Sequence, residues 1–483
     1  MPIEITRDEI RAIYRQGEDA VVTLIESLVA RINELEKDVA ELKAKVNKDS
    51  HNSSKPPSSD MFRPPKSLRE KSDKPRGGQP GHNGRSLRQI ESPDHIKEHS
   101  LQGTCECGRR LSEGKFRGKE RRQVFDIPNP TIEVTEHRAE IRACACGLLH
   151  TADFPAGVEA PVQYGPRIRG MLVYLSQYQL LPQKRITETM RDLFSAQISQ
   201  GTINNAIVQA YYRLQITEET IKQSIAASAV VHGDETGIYV GGKRLWQHNL
   251  STALYTYFFC HVKRGKKALR DDGILHRFIG RLVHDGWLSY FDFDCLHALC
   301  NAHHLRELIF LSECGHRWAT TMTHLLCQIK KVVDRGKKAG RKQLAPQTLH
   351  RFRKRYESII KAGYHANPVA TQRIKTGSRG RIKQSAARNL LDRLDKYAEE
   401  TLAFMYDFNI PFDNNQAERD LRMSKVKQKV SGCFRSMFGA QAFCRIRGYI
   451  STLRKHGLDV FDNLVNCFDP SIEQKLLLPK EAR

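Results

Sequence analysis

The sequence predicts a multidomain α+β protein, and three observations predict it. An apolar heptad opens the chain, two cysteine pairs flank a strand-like stretch, and the hydrophobic period changes from helical to alternating at Ala226. At 483 residues the chain exceeds one ordinary domain. A hydrophobic fraction of 40% supplies at least one core, and aromatic clustering between Tyr239 and Phe293 says where it lies.

Residues 1–50 are expected as a coiled-coil dimerisation segment. Ile25, Ile32, Val39 and Val46 recur every seven residues, and Leu28, Leu35 and Leu42 follow three later. β-Branched residues at one seam position and Leu at the other favour a parallel pair. A single amphipathic helix packed on the body is the alternative. The segment ends near Asn47.

Residues 51–95 form a basic linker in this reading. NKDSHNSSKPPSSDMFRPPKS and KPRGGQPGHNGRS offer almost nothing to bury, so their composition predicts a mobile tether. Its cations either lie along a DNA backbone or are simply solvated.

Residues 96–160 carry CECG, then FDIPNPTIEVTEHRAEI, then CACG. Cysteine pairs at both ends of a hairpin predict a small zinc-ribbon-like module. Its ligands are Cys105, Cys107, Cys144 and Cys146. The spacing within each pair is C-x-C, where C-x-x-C is usual; disulfides or free thiols are the other reading. The chain has 12 cysteines. The rest, such as Cys260, Cys327 and Cys444, sit in apolar or helical contexts and read as small buried hydrophobes in a reducing compartment.

Residues 161–225 are expected to be helical. LPQKRITETMRDLF, a break at SAQ, and ISQGTINNAIVQAYYRL resemble a helix-turn-helix, which would face Gln200, Thr202, Asn204 and Asn205 to a groove. A purely structural helical scaffold fits the pattern equally.

Residues 226–450 hold the main domain. ASAVVHGDETGIYV and KRLWQHNLSTALYTYFFCHV read as three strands with a Gly-Gly turn, KKALRDDGILHRFIG as a helix, and GRLVHDG as a short buried strand ending in an acid. After Cys300 the pattern is helical, with an insertion over about 306–404 that is rich in cations. PFDNNQAERDLR opens a further helix, and residues 451–483 form a helical tail. Three antiparallel strands, a helix, a fourth strand and a late helix follow the order of an RNase H-like mixed-sheet core.

That order has stations for three carboxylates, and the sequence fills them with Asp234 in VVHGDETG, Asp285 in LVHDGW and Glu418 in NNQAERD. Acids at these places can hold two divalent cations, Mg²⁺ or Mn²⁺, against the attacking and leaving oxygens of a phosphodiester. Each acid also has a plain structural reading. Asp234 adjoins Glu235; Asp285 with Gly286 is a turn pair; Asp292 and Asp294 compete with Asp285; Asn415 with Glu418 approximates a capping box. Cys300 and His303 in HALCNAHHLREL share a helix face and read as a polar contact that steadies the core.

Net charge supports a polyanionic partner. Lys+Arg 78 against Asp+Glu 54 gives +24, which attracts nucleic acid. No apolar run approaches the roughly 20 residues that span a bilayer. The opening MPIEITRDEIRAIYR lacks the apolar core of a signal peptide. A cytoplasmic, nucleoid-associated protein is expected.

Taken together, the motifs NSSKPPSSD, GGQPGHNG, CECG, CACG, HGDETG, HDGWLSY and DNNQAERDLR resemble those of DDE-type transposases of the insertion sequence 66 family. The resemblance spans nearly the whole chain. It implies an N-terminal zipper, a zinc-binding DNA-contact module and an RNase H-like catalytic domain with a helical insertion. It also implies Asp234, Asp285 and Glu418 as the metal-binding triad, and it matches Cys300-x-x-His303 to the element that follows the second acid in several DDE groups. Small accessory proteins often act alongside transposases of this group. On the late helix, Arg419, Arg422 and Lys425 are then expected to meet phosphates of the element's end. The expected function is a DNA transposase that cleaves and joins strands of double-stranded DNA as a homodimer or higher oligomer. A catalytically inactive dimeric DNA-binding repressor or end-binding factor is the alternative.

Overall fold

The structure is a computed structural model and describes residues 6–46, 48–49, 52–53, 81, 87–369 and 384–472. Most of NSSKPPSSD, all of GGQPGHNG but Gly81, the insertion's cations between 370 and 383, and the tail after 472 lie outside the described residues. The chain divides into two units. The larger takes Met1–Leu68, His137–Glu188 and Ile198–Arg483, and the smaller takes Arg69–Glu136 and Thr189–Gln197.

Two helices open the larger unit, α1 (Arg7–Arg15) and α2 (Glu18–Val46). Thr6 and Glu9 cap α1 reciprocally: the Thr6 hydroxyl accepts from the Glu9 N–H, and the Glu9 carboxylate accepts from the Thr6 N–H at 2.7 Å. Helix α2 ends at Val46, next to the Asn47 that the heptad picked out. Its seam is left open to solvent: Ile25, Ile32, Leu35, Val39 and Leu42 are all about half exposed. A helix of this length rarely stands alone with an uncovered apolar seam. Beyond it, Asn52 is buried, and its amide donates to Glu313 at 2.7 Å. The first described residues of the expected tether are therefore anchored.

In the smaller unit, Cys105–Gly108 forms a tight turn. The Gly108 N–H donates to the Cys105 carbonyl at 2.8 Å, and the Cys105 N–H donates to Arg109 at 2.9 Å. The larger unit repeats this turn at Cys144–Gly147, with bonds of 2.8 Å from Gly147 to Cys144 and from Cys144 to Leu148. Both glycines stand at positive φ, near +86° and +88°. Here the structure corrects the expected hairpin. FDIPNPTIEVTEHRAE forms no strand, and within it Pro128 and Pro130 lack donors and fix φ. The strands are β1 (Ile141–Ala143) and β2 (Leu149–Thr151), which flank the second pair alone.

The helices expected over 161–225 are present as α3 (Pro166–Val173), α4 (Gln183–Phe194), α5 (Gln200–Arg213) and α6 (Gln215–Ala226). A π-turn at Tyr174–Tyr178 follows α3.

The main sheet is mixed. Its strands are β3 (Val230–Val240), β4 (Lys243–Ser251), β5 (Thr256–His261), β6 (Arg281–His284) and β7 (Leu296–Leu299), in the order β5-β4-β3-β6-β7. The first three are antiparallel; β6 runs parallel to β3, and β7 parallel to β6. Gly241 and Gly242, both at positive φ, close the β3–β4 hairpin. The expected single helix between β5 and β6 is two, α7 (Lys266–Asp272) and α8 (Ile274–Arg277), broken at left-handed Gly273. Strand β7 was not expected: four residues are too few to show a period.

The insertion comprises α9 (Asn301–Glu313), α10 (Arg317–Lys338), α11 (Pro346–Ala366), α12 (Ala386–Lys396) and α13 (Ala398–Tyr406). These pack around their own core of Trp318, Met322, Phe352, Tyr356, Leu391 and Phe404, which meets the sheet at Val283 and Ala298. Then come α14 (Asn415–Ser431), α15 (Met437–Lys455) and α16 (Val460–Asn466). Residue 450 therefore falls inside α15. Helix α14 covers the β3 face that carries Ile238 and Val240 through Leu421. The opposite face, with Val231 and Tyr290, packs on α6 and α8. Among the described residues no helix is long and apolar enough to cross a membrane.

Candidate active site

Successive side chains of a strand point to opposite faces, and β3 uses this to separate two adjacent acids. Glu235 is committed on its own face. Arg264 donates to its Oε1 through Nε at 2.9 Å and Nη2 at 2.7 Å, and the Tyr290 hydroxyl donates to Oε2 at 2.8 Å. Asp234 shares the α14 side with His232 and Thr236, and its Oδ1 accepts the Glu235 N–H at 2.9 Å.

Asp285 stands one residue beyond β6, where its Oδ1 accepts the Trp287 N–H at 2.9 Å. Gly286, at φ +93°, makes the turn. The acid thus forms the expected Asp-Gly turn and is also held in place by it.

Glu418 lies in the first turn of α14, although the capping box does not form. The N-cap is Asn414, not Asn415, and its side chain caps nothing in its own helix. Instead, Asn414 Oδ1 meets His232 Nδ1 at 2.8 Å, and its Nδ2 donates to the Gly233 carbonyl at 2.8 Å. Asp413 serves the helix end in its place, accepting the Asn415 N–H at 3.1 Å. From β4, buried Asn249, which pairs with Asp234, donates to the Ala417 carbonyl at 3.4 Å. Two buried asparagines thus pin the start of α14 to the sheet, Asn414 one turn before Glu418 and Asn249 at the residue next to it.

Electrostatics tie the three acids together. Burial pushes the Asp234 carboxyl well above its ordinary range, and the charges of Glu235, Asp285 and Glu418 push the same way. Burial also raises Glu418; Arg306 and Arg422 oppose this, while Asp413 and Asp285 add to it. Glu418 Oε1 is buried and has no hydrogen-bond partner among the described residues. The rivals lie elsewhere: Asp292 and Asp294 are exposed, and Asp292 faces Lys266 at 3.7 Å.

The structure also gives Cys300 and His303 a partner that their spacing did not reveal. One ligand atom from each of Cys300, His303 and Glu418 lies within 4.8 Å of the others. His303 Nε2 is 4.0 Å from Glu418 Oε1. Burial lowers His303 to about 4, although Asp285 acts in the other direction. Burial pushes the Cys300 thiol up to about 12, and its Sγ accepts the Asn414 N–H at 3.1 Å. These donors suit a borderline cation, and the carboxylates suit a hard one.

A family model described as "Transposase IS66 family" matches residues 161–442. The chain belongs to the IS66 transposase family. The match takes in the whole five-stranded sheet, the insertion and α14, and so all three candidate acids. Membership makes DNA its partner and transposition, with the DNA cleavage that implies, its class of activity. A second model, for a family of unknown function (DUF6444), matches residues 7–88. No curated protein matches the chain.

In this transposase the expected phosphate contacts divide. Arg419 and Arg422 are exposed, and Arg419 donates to Gln416 at 2.9 Å. Lys425 instead donates to the Gly237 carbonyl at 2.6 Å, which ties it to β3. On α5, Gln200, Asn204 and Asn205 are exposed; Thr202 is half-buried and serves the cap, its N–H donating to Ser199 at 3.0 Å. All four paired cysteines are free and exposed. The Cys107 and Cys146 N–H groups lower the thiols of Cys105 and Cys144, respectively, favouring the thiolate.

Proposed function

We propose that this transposase binds the ends of an insertion sequence and catalyses metal-dependent DNA strand cleavage and strand transfer. The observation that carries this reading is the half-buried set of Asp234, Asp285 and Glu418, whose charges act against one another. Such a set is unfavourable alone and favourable around divalent cations. An RNase H-like core is supported by the order β5-β4-β3-β6-β7, with β3, β6 and β7 parallel.

Asp234, Asp285 and Glu418 would hold two Mg²⁺ or Mn²⁺ ions, which when bound supply Lewis-acid stabilisation to the attacking and leaving oxygens of a phosphodiester. The chain's own work is positional. The Trp287 N–H fixes Asp285, Asn414 and Asn249 fix the helix of Glu418, and Arg264 with Tyr290 engages both oxygens of Glu235. His303 is neutral above about pH 4 and so adds no charge beside Glu418. Arg419 and Arg422 would meet phosphates of the end. Thermal melts test the metal assignment. Mn²⁺ should raise the melting temperature of the wild type, since a ligand of the folded state stabilises it, and leave Asp234→Asn nearly unmoved. Equal shifts in both would sink the assignment.

Two further assignments concern the N-terminal half. Zinc is proposed as the partner of the Cys105/Cys107 and Cys144/Cys146 thiolates, supported by their matching turns; elemental analysis should find zinc that Cys105→Ser loses. The exposed seam of α2 is proposed to pair with a second copy. Deleting residues 1–47 should lower the number of copies per particle measured by light scattering, and an unchanged number would refute the pairing.

A further inference from the structure

Beside the carboxylates runs a connected set of cations and indole rings. The Arg244 guanidinium lies over the Trp246 ring at 4.7 Å. The Arg264 guanidinium lies over the same ring at 4.9 Å and over the Trp287 ring at 4.5 Å. Arg244 and Trp246 come from β4, Arg264 follows β5, and Trp287 follows β6. The set is anchored next to two candidate acids. Arg264 holds Glu235, the neighbour of Asp234, and the Trp287 N–H holds Asp285.

Gly237 makes room for the set. A Cβ there would stand 2.9 Å from Arg244 Nε, so only glycine lets this arginine lie across β3. The Gly237 carbonyl takes the Lys425 amine at 2.6 Å. Partial burial and the charge of Arg244 both depress the Lys425 pKa. Arg244, Arg264 and Lys425 are all exposed. Glu235 satisfies Arg264 alone; neither Arg244 nor Lys425 has a carboxylate partner among the described residues. Cations held together without an anion form a site for one. Ring stacking fixes guanidinium groups in advance and so reduces the entropy lost on binding.

We infer that Arg244, Arg264 and Lys425, with Trp246 and Trp287 ordering the two guanidinium groups, form a phosphate-binding track for the DNA flank beside the carboxylates. The inference rests on the reading that those carboxylates act on DNA, but it is tested without cleavage. The full chain is titrated in EDTA with a duplex carrying the element's end, at several salt concentrations. The readouts are affinity and tryptophan emission. The chain has 3 tryptophans, and Trp318 is buried in the insertion core, so an emission change reports Trp246 and Trp287.

Arg244→Gln should weaken binding uniformly across flanking sequences and lower the log–log salt slope by about one. Gly237→Ala, which displaces Arg244, should reproduce that slope. Trp246→Phe should remove much of the emission change. An unchanged slope in both Arg244→Gln and Gly237→Ala, with both proteins melting like the wild type, would overturn the track. So would a loss that depends on base identity, which would mean that the rings read bases. Failure of the carboxylate reading looks different: the wild type would show the salt slope and emission change here, yet cleave nothing when metal is added.

Discussion

Asp234→Asn should lower end cleavage by about 10³-fold or more, the scale on which a site loses a fixed electrostatic stabiliser. Binding of the uncleaved end should stay close to wild type, because Asp234 offers no cation to a phosphate. The same change should stabilise the metal-free protein at neutral pH. The sign follows from the raised carboxyl of Asp234. A carboxylate raised in the folded state costs stability above its ordinary range, and the cost disappears as pH falls through the raised value. Asparagine does not titrate, so the variant should melt above the wild type at pH 7 and lose that advantage on acidification. A variant that keeps cleavage would remove Asp234 from the site.

Asn414→Ala should cost both stability and activity. The asparagine side chain joins His232 and the Gly233 carbonyl, each at 2.8 Å, in a buried place. Truncation leaves both partners unpaired, at about 1–3 kcal/mol each, so a loss of about 2–6 kcal/mol is expected. The helix that carries Glu418 then loses its tie to β3. A misplacement on the order of 1 Å costs about 10²-fold in rate. Asn414 touches no substrate in this account; it acts through Glu418. Its signature is therefore a rise in the Mg²⁺ concentration needed for half-maximal cleavage. Lost stability with unchanged metal dependence would make it a structural residue only.

Much of this was legible because local physics and the fold agree. The alternation of β3 and β4, the heptad of α2 and the acid at the end of β6 each leave a periodic or positional mark in sequence. What was not legible depended on contacts between distant segments. Asn414 and Asn415 are equivalent by propensity, and only His232 and Gly233 across the fold decide which becomes the N-cap. Asp234 and Glu235 were inseparable until Arg264 and Tyr290 claimed one of them. Cys300 and His303 were visible as a pair, but Glu418 arrives from a helix beyond the whole insertion. Lys425 read as a free cation on an exposed helix, yet the Gly237 carbonyl holds it. Strand β7 is too short for a period, and the stretch around Pro128 and Pro130 had the β-branched composition of a strand without the donors of one.

The most direct measurement is cleavage of a labelled duplex carrying the element's own end, by the wild-type chain in Mg²⁺, in Mn²⁺ and in EDTA. The account predicts nicking at the end in either metal and none in EDTA. Tight, end-specific binding in all three, with no nicking in either metal, would contradict it.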